Sequence, residues 1–206
     1  MDWQLDTAEV RVLGALLEKE IATPEYYPLS LNALVNACNQ KSNREPVVAY
    51  DDDTVEDALE RLRLKGLASR ITGRDSRVPK HEQRFTEKFN LGRREAAILC
   101  VLMLRGWQTP GELRGRSERL HTFDGLDEVE STLGRLTEME FVKKLPRQTG
   151  FKEQRWAHLL SGDVAVAEEA GEREGAAAPA GTRVDQLAAD LAALRREFEE
   201  FKKKFE

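Results

Sequence analysis

The sequence predicts a mainly α fold with small β-hairpins, an α+β class, built twice over and followed by a separate C-terminal helix. Three observations predict it. First, the chain repeats itself: Glu9-Val-Arg-Val-Leu-Gly-Ala-Leu-Leu17 returns as Glu95-Ala-Ala-Ile-Leu-Cys-Val-Leu-Met103, and both runs lead on to a Thr-Pro pair, Thr23-Pro24 and Thr109-Pro110. Val55, Leu59, Leu62 and Leu67 match Val129, Leu133, Leu136 and Phe141 in the same order, and Glu82-Gln-Arg-Phe85 matches Glu153-Gln-Arg-Trp156. Second, each copy holds three helical apolar patterns and then two short strand patterns, a length suited to a small domain and too long for a solenoid repeat. Third, the last part of the chain carries an unbroken heptad pattern.

In the first copy, the first helix is predicted over about 7–21, with Val10, Leu13, Leu16 and Leu17 on one face. The second is entered through Pro28-Leu29, with Ser30 as its N-cap. It carries Asn32, Asn36, Asn39 and Asn43 on one stripe, beside an apolar stripe of Leu31, Leu34, Val35 and Cys38. The third starts near Asp53 or Thr54, carries Val55, Ala58, Leu59 and Leu62, and ends at Lys65-Gly66, a basic last turn before a glycine. Residues 67–71 read as a strand, 73–77 as a turn and about 81–86 as a second strand. The second copy repeats this with helices near 93–106, 110–119 and 126–140, and a hairpin of 141–145 and 153–157 around a tip at 146–150. Three helices and a β-hairpin describe a winged helix-turn-helix, and Thr109-Pro-Gly-Glu-Leu113 is a typical opening of its second helix. The expected organisation is two tandem winged-helix domains, 1–89 and 90–160.

Residues 161–183 are rich in Ala, Gly and Glu, lack an apolar period and read as a flexible linker. In 184–206, Val184, Leu187, Leu191, Leu194, Phe198, Phe201 and Phe205 recur at alternating steps of three and four. That is the a/d seam of a coiled coil, and Asp190 and Glu197 at g would face Arg195 and Lys202 at e across a parallel pair. The expectation is self-association; the other use of such a seam is packing back on the chain's own domains.

With 206 residues and a net charge of −5, bulk charge does not announce a nucleic-acid binder. The start has neither a basic nor an apolar leader region, and no apolar run approaches a membrane span, so a cytoplasmic setting is expected. Cys38 and Cys100 sit inside apolar helical patterns and read as reduced core thiols. His81, His121 and His158 lack Cys or carboxylate partners at ligand spacing. No phosphate loop or nucleophile elbow appears. The expectation is a non-enzymatic protein with no cofactor and no metal.

The third helices are acidic at their leading ends, where carboxylates would repel phosphates; the same acids also suit a helix N-terminus. The hairpins are basic. Arg70, Arg74, Arg77, Lys80 and Arg84 lie on the first, Lys143, Lys144, Arg147, Lys152 and Arg155 on the second, and Arg114 and Arg116 on the second helix of copy two. These are the candidate contacts to DNA through the wings or to a protein partner. The same side chains would also suit plain solvation or pairing with the acidic helices. The asparagine stripe is read as a structural polar clamp with Tyr26, Tyr27 and Arg44 as its neighbours; the other use of such a row is a recognition face, since asparagine can bond adenine edges bidentately. Its helix is flanked by loops, 25–29 and 42–52, that copy two lacks, and asparagine satisfies stray backbone groups in such segments.

Pro24-Glu-Tyr-Tyr-Pro-Leu-Ser-Leu-Asn-Ala-Leu-Val-Asn-Ala-Cys-Asn-Gln-Lys-Ser-Asn-Arg-Glu-Pro46 resembles the signature block of the YceH-like family. So do Arg77-Val-Pro-Lys80 with Gln83-Arg84-Phe85, Arg105-Gly-Trp-Gln-Thr-Pro-Gly-Glu-Leu-Arg114 and Leu145-Pro-Arg-Gln-Thr-Gly150. The resemblance covers about 5–160. It implies a winged-helix fold and a bacterial cytoplasmic setting, in a family of uncharacterised proteins with no assigned activity and no functional residues to transfer.

Overall fold

The computed structural model describes residues 4–72, 78–147 and 153–163. The predicted tail helix 184–206, with its seam, lies outside the described residues, as does the predicted linker from 164 onward.

The first copy contains α1 (Thr7–Ala22), a 3-10 turn (Pro24–Tyr26), β1 (Leu29–Ser30), α2 (Leu31–Cys38), α3 (Asp52–Leu64), β2 (Ala68–Ile71), β3 (Lys80–Gln83) and a short α4 (Phe85–Lys88). The second contains α5 (Arg93–Arg105), α6 (Pro110–Ser117), α7 (Leu126–Glu138), β4 (Val142–Lys144) and β5 (Trp156–His158). The fold is α+β: helices with small antiparallel sheets.

The helix starts follow from local chemistry. Asp6 caps α1 and Glu9 reaches back to the Asp6 N–H, each bond 2.8 Å, which completes a capping box. Thr109 and Glu112 build the same box on α6. Ser30 caps α2 and Asp51 caps α3. The strand predicted over 81–86 stops at Gln83. There the Gln83 side chain accepts the Thr86 N–H at 3.0 Å and turns the chain into α4.

The two sheets match. β3 lies between β1 and β2, with Leu29 opposite His81 and Ala68 opposite Gln83. β5 pairs with β4 and is bridged on its other side by Gln108, just before α6, as β1 stands just before α2. The first copy therefore reads helix, strand, helix, helix, strand, strand, and the second keeps this order with the single Gln108 bridge in place of the first strand.

α1 and α5 are buried along their length. Every residue from Glu9 to Glu18, and from Glu95 to Leu104, is buried. A helix that is apolar nearly all round belongs inside. α1 packs on α2 and α3 of its own copy and also on α5 of the other, so one continuous core serves both copies. Both lie within one compact unit, Met1–Val166. Gly14 permits the approach: a Cβ there would stand 3.0 Å from Leu104 Cδ2 and 3.1 Å from Met103 Cβ. The second weld is aromatic. Phe85 and Phe89 meet Phe141 edge to face, with centroids 5.5 and 5.1 Å away.

The third helices end alike. Leu67 N–H bonds Leu62 C=O and Gly66 N–H bonds Arg63 C=O; Phe141 and Glu140 repeat both bonds to Leu136 and Thr137. This motif places its penultimate residue in the left-handed region. Gly66 takes φ +66° at no steric cost, but Glu140 holds φ +59° with a side chain. Glu140→Gly is therefore expected to raise stability by about 0.5–1 kcal/mol, and Gly66→Ala to lower it by about 1 kcal/mol. Urea denaturation of the two variants checks both signs.

Candidate functional site

The most elaborate polar construction is the junction between α2 and α3. The Arg44 side chain is fully buried and bonds Glu18 through two contacts, at 3.2 and 2.6 Å. It also donates to the carbonyls of Ala37 and Asn43 and to Gln40 Oε1. Burial alone would push the Glu18 carboxyl up, but the hydrogen bonds and charge of Arg44 outweigh it and hold the group below its usual range. Arg11, also buried, donates to Cys38 C=O and Pro46 C=O, while Glu45 N–H bonds Leu104 C=O on α5. Burial pushes the Cys38 thiol up to about 12 and raises Cys100 as well, so both are inert thiols.

The asparagine stripe divides into separate tasks. Asn39 clamps the loop: its Nδ2 donates to Tyr50 C=O at 2.7 Å and its Oδ1 accepts Tyr50 N–H at 2.8 Å. Asn43 takes φ +58° and accepts from Arg105 of the second copy. Asn36 bonds Asn32 at the surface. Arg44 was expected beside the asparagine stripe and donates to the Asn43 carbonyl, whereas Arg11 and Glu18 were not singled out in the sequence. The signal was available: Arg11 and Glu18 are seven apart and bracket Val12 to Leu17, a run that is apolar apart from Gly14.

The basic candidates scatter. Arg70, Lys80 and Arg114 are exposed and have no ion-pair partner among the described residues. Arg84 is paired with Glu82 at 3.5 Å and Glu87 at 2.7 Å. Lys143 bonds Asp163, and Lys144 lies 6.0 Å from the Trp156 ring centroid. Arg147 is exposed. Arg116 bonds Gln108 and Glu112, and with Arg155 it lines a cleft at the start of α6. Arg74, Arg77 and Lys152 lie outside the described residues.

Most cations of the third helices face inward or pair locally. Arg61 meets Asp6 at 3.0 Å and Glu9 at 3.9 Å, Lys65 meets Glu9, and Arg63 meets Glu60. Arg135 meets the buried Glu95 at 3.1 Å. Glu9 with Arg61 and Glu95 with Arg135 occupy matching positions, so the carboxylate–guanidinium strut between first and third helix is duplicated. Asp52, Asp53, Glu56, Asp57 and Glu60 of α3, and Asp127, Glu130 and Glu138 of α7, stay exposed.

The histidines are apart. Burial, then Arg70, lowers His81. Burial pushes His158 down to about 4. His121 packs edge-on to Phe123 at 4.7 Å. Among the described residues no cluster of three His, Cys, Asp or Glu could hold a metal, and no helix is long and apolar enough to cross a membrane.

A family described as "Protein of unknown function, DUF480" matches residues 5–151. A UPF0502 protein of Solibacter usitatus is 69% identical, with both chains covered over their full length. A UPF0502 protein of Opitutus terrae is 55% identical over 93% of this chain and 83% of that one. One from Geobacter sulfurreducens is 48% identical over 96% and 90%.

Proposed function

We infer the role of this chain, which belongs to the DUF480 family of proteins of unknown function, from its geometry: a non-enzymatic, DNA-binding protein of the transcription-regulator kind. Each copy is read as a winged helix, on the strength of its element order and of its last strand, which lies between β1 and β2 in the first copy and between β4 and the Gln108 bridge in the second. The reading includes a cytoplasmic setting and self-association through the heptad seam of 184–206.

One observation carries the mode of binding. Lys65 and Arg135 pair with the buried Glu9 and Glu95, Arg61 lies between Asp6 and Glu9, and Arg63 is offset by Glu60, so exposed carboxylates dominate the outer faces of α3 and α7. A helix with that face is repelled by phosphates. The exposed Arg70 and Lys80, with Lys144 on the other hairpin, are the cations placed to hold the duplex backbone. Such contact is largely independent of sequence. The same acidic faces favour a second reading, a scaffold that docks a basic protein segment.

Fluorescence anisotropy with labelled genomic duplex fragments separates the two. A grip on about four phosphates weakens roughly a hundredfold between 50 and 200 mM salt. Changing Arg70, Arg74, Arg77 and Lys80 together to glutamate should weaken binding more than tenfold, with the circular dichroism spectrum retained. Absence of binding at low salt refutes the DNA reading and leaves the scaffold.

A further inference from the structure

At the base of α6, on the seam between the copies, lies an open cleft of about 440 Å³, within the range of small-ligand sites. Arg105 reaches it from the end of α5, Arg116 from α6 and Arg155 from the residue before β5; Glu45 enters from the first copy and Glu112 from α6. Three guanidinium groups thus face two carboxylates.

Two of the arginines are held in place by neutral amide oxygens, which orient a guanidinium without cancelling its charge. Arg105 donates to Asn43 Oδ1 and Arg116 to Gln108 Oε1. Gln108 is only 2% exposed, and its Nε2 is used up on the carbonyls of Arg105 and Trp107. Its oxygen therefore points at Arg116 by default. Arg116 also lies 3.3 Å from Glu112, which offsets part of its charge. Burial, with the repulsion of Arg116, lowers the pKa of Arg105, so the pair is crowded in a way that a bound anion relieves.

Beside these cations stands an exposed aromatic face. Trp107 is 37% exposed, a large share for an indole in a packed protein, and it lines the cleft. Gly106 sets it there through φ +71°, a conformation that a side chain at 106 would strain. Planar fork donors fit phosphate oxygens two at a time, and an indole stacks on a heterocyclic base.

We propose that this cleft binds a free nucleotide, its phosphates on Arg105, Arg116 and Arg155 and its base on Trp107. Such a site makes the protein responsive to a small phosphorylated ligand. It stands apart from the DNA reading, because a mononucleotide needs no duplex and neither Arg70 nor Lys80 of the first hairpin.

The test is isothermal titration of the full-length protein with ATP, GTP and inorganic phosphate in the absence of DNA. At least one nucleotide is expected to bind with a dissociation constant of roughly 1–100 μM, and inorganic phosphate at least tenfold more weakly. Arg105→Gln and Trp107→Ala should each weaken the nucleotide at least tenfold, with thermal midpoints near wild type. Because Arg105 also holds Asn43, Arg155→Gln is the second variant and should give the same loss. Arg70→Glu with Lys80→Glu should leave nucleotide affinity unchanged, whether or not DNA binding is lost. No binding at about 1 mM nucleotide, equal affinity for inorganic phosphate, or unchanged affinity in the folded variants would each overturn the proposal.

Discussion

Arg44→Ala is expected to lower the unfolding free energy by about 3–5 kcal/mol, read in urea as a lower midpoint at unchanged slope. The magnitude comes from what remains after the cut. Glu18 is 9% exposed and would keep its charge without its bidentate partner, and the carbonyls of Ala37 and Asn43 would lose their donors. Arg44→Lys restores a charge without the planar fork and should recover only part of the loss. A loss under about 1 kcal/mol would show that the junction relaxes or takes in water and is not a stabilising strut.

The same variant has a pH signature. The folded pKa of Glu18 is depressed, so its contribution is present above the ordinary carboxylate range and is lost as pH falls through the depressed value. His158, kept neutral by burial and pushed down to about 4, contributes in the same direction, lost as pH falls from the ordinary histidine range toward 4. Arg44→Ala should remove the lower part of this acid limb and leave the histidine part intact.

Phe85→Ala is expected to cost a similar amount, about 3–5 kcal/mol. Its ring is fully buried and meets Phe89 at 5.3 Å and Phe141 at 5.5 Å, both edge to face. Because Phe141 belongs to the second copy, the cavity opens on the boundary and weakens both copies at once. Unfolding should stay a single transition: in a Trp3→Phe background, tryptophan fluorescence, which then reports Trp107 and Trp156 of the second copy, should coincide with the helical signal of the whole chain. Two separated transitions would mean that the copies are independently stable.

The local elements were legible because the signals that set them are short in range. Capping residues, the helix-ending glycine and the apolar periods of α3 and α7 each act within a turn or two. The duplication also gave the order of elements twice. What escaped the sequence was set by packing between the copies. The periodicity of α1 marks Val10, Leu13, Leu16 and Leu17 as one buried face. The opposite side, with Arg11, Gly14 and Glu18, is buried only because α5 and the loop of Arg44 cover it. The asparagines were visible as a stripe, but their separate partners, Tyr50 and Arg105, come from loops and helix ends that no period marks. The basic hairpin list likewise merged residues that the fold separates, since Arg116 and Arg155 line the cleft while Arg70 and Lys80 stand exposed.

The doubled strut bears on where the chain can be divided. Lys65, which supports Glu9, is matched by Met139 in the second copy, and Gly66 by Glu140, whereas the Glu9–Arg61 and Glu95–Arg135 pairs recur in both. The first helix of each copy is tied in this way to its own third helix, and its other side packs on the first helix of the other copy. A cut between the copies would therefore lay bare an apolar helix face on each half, so the repeat boundary in the sequence is not a boundary of stability.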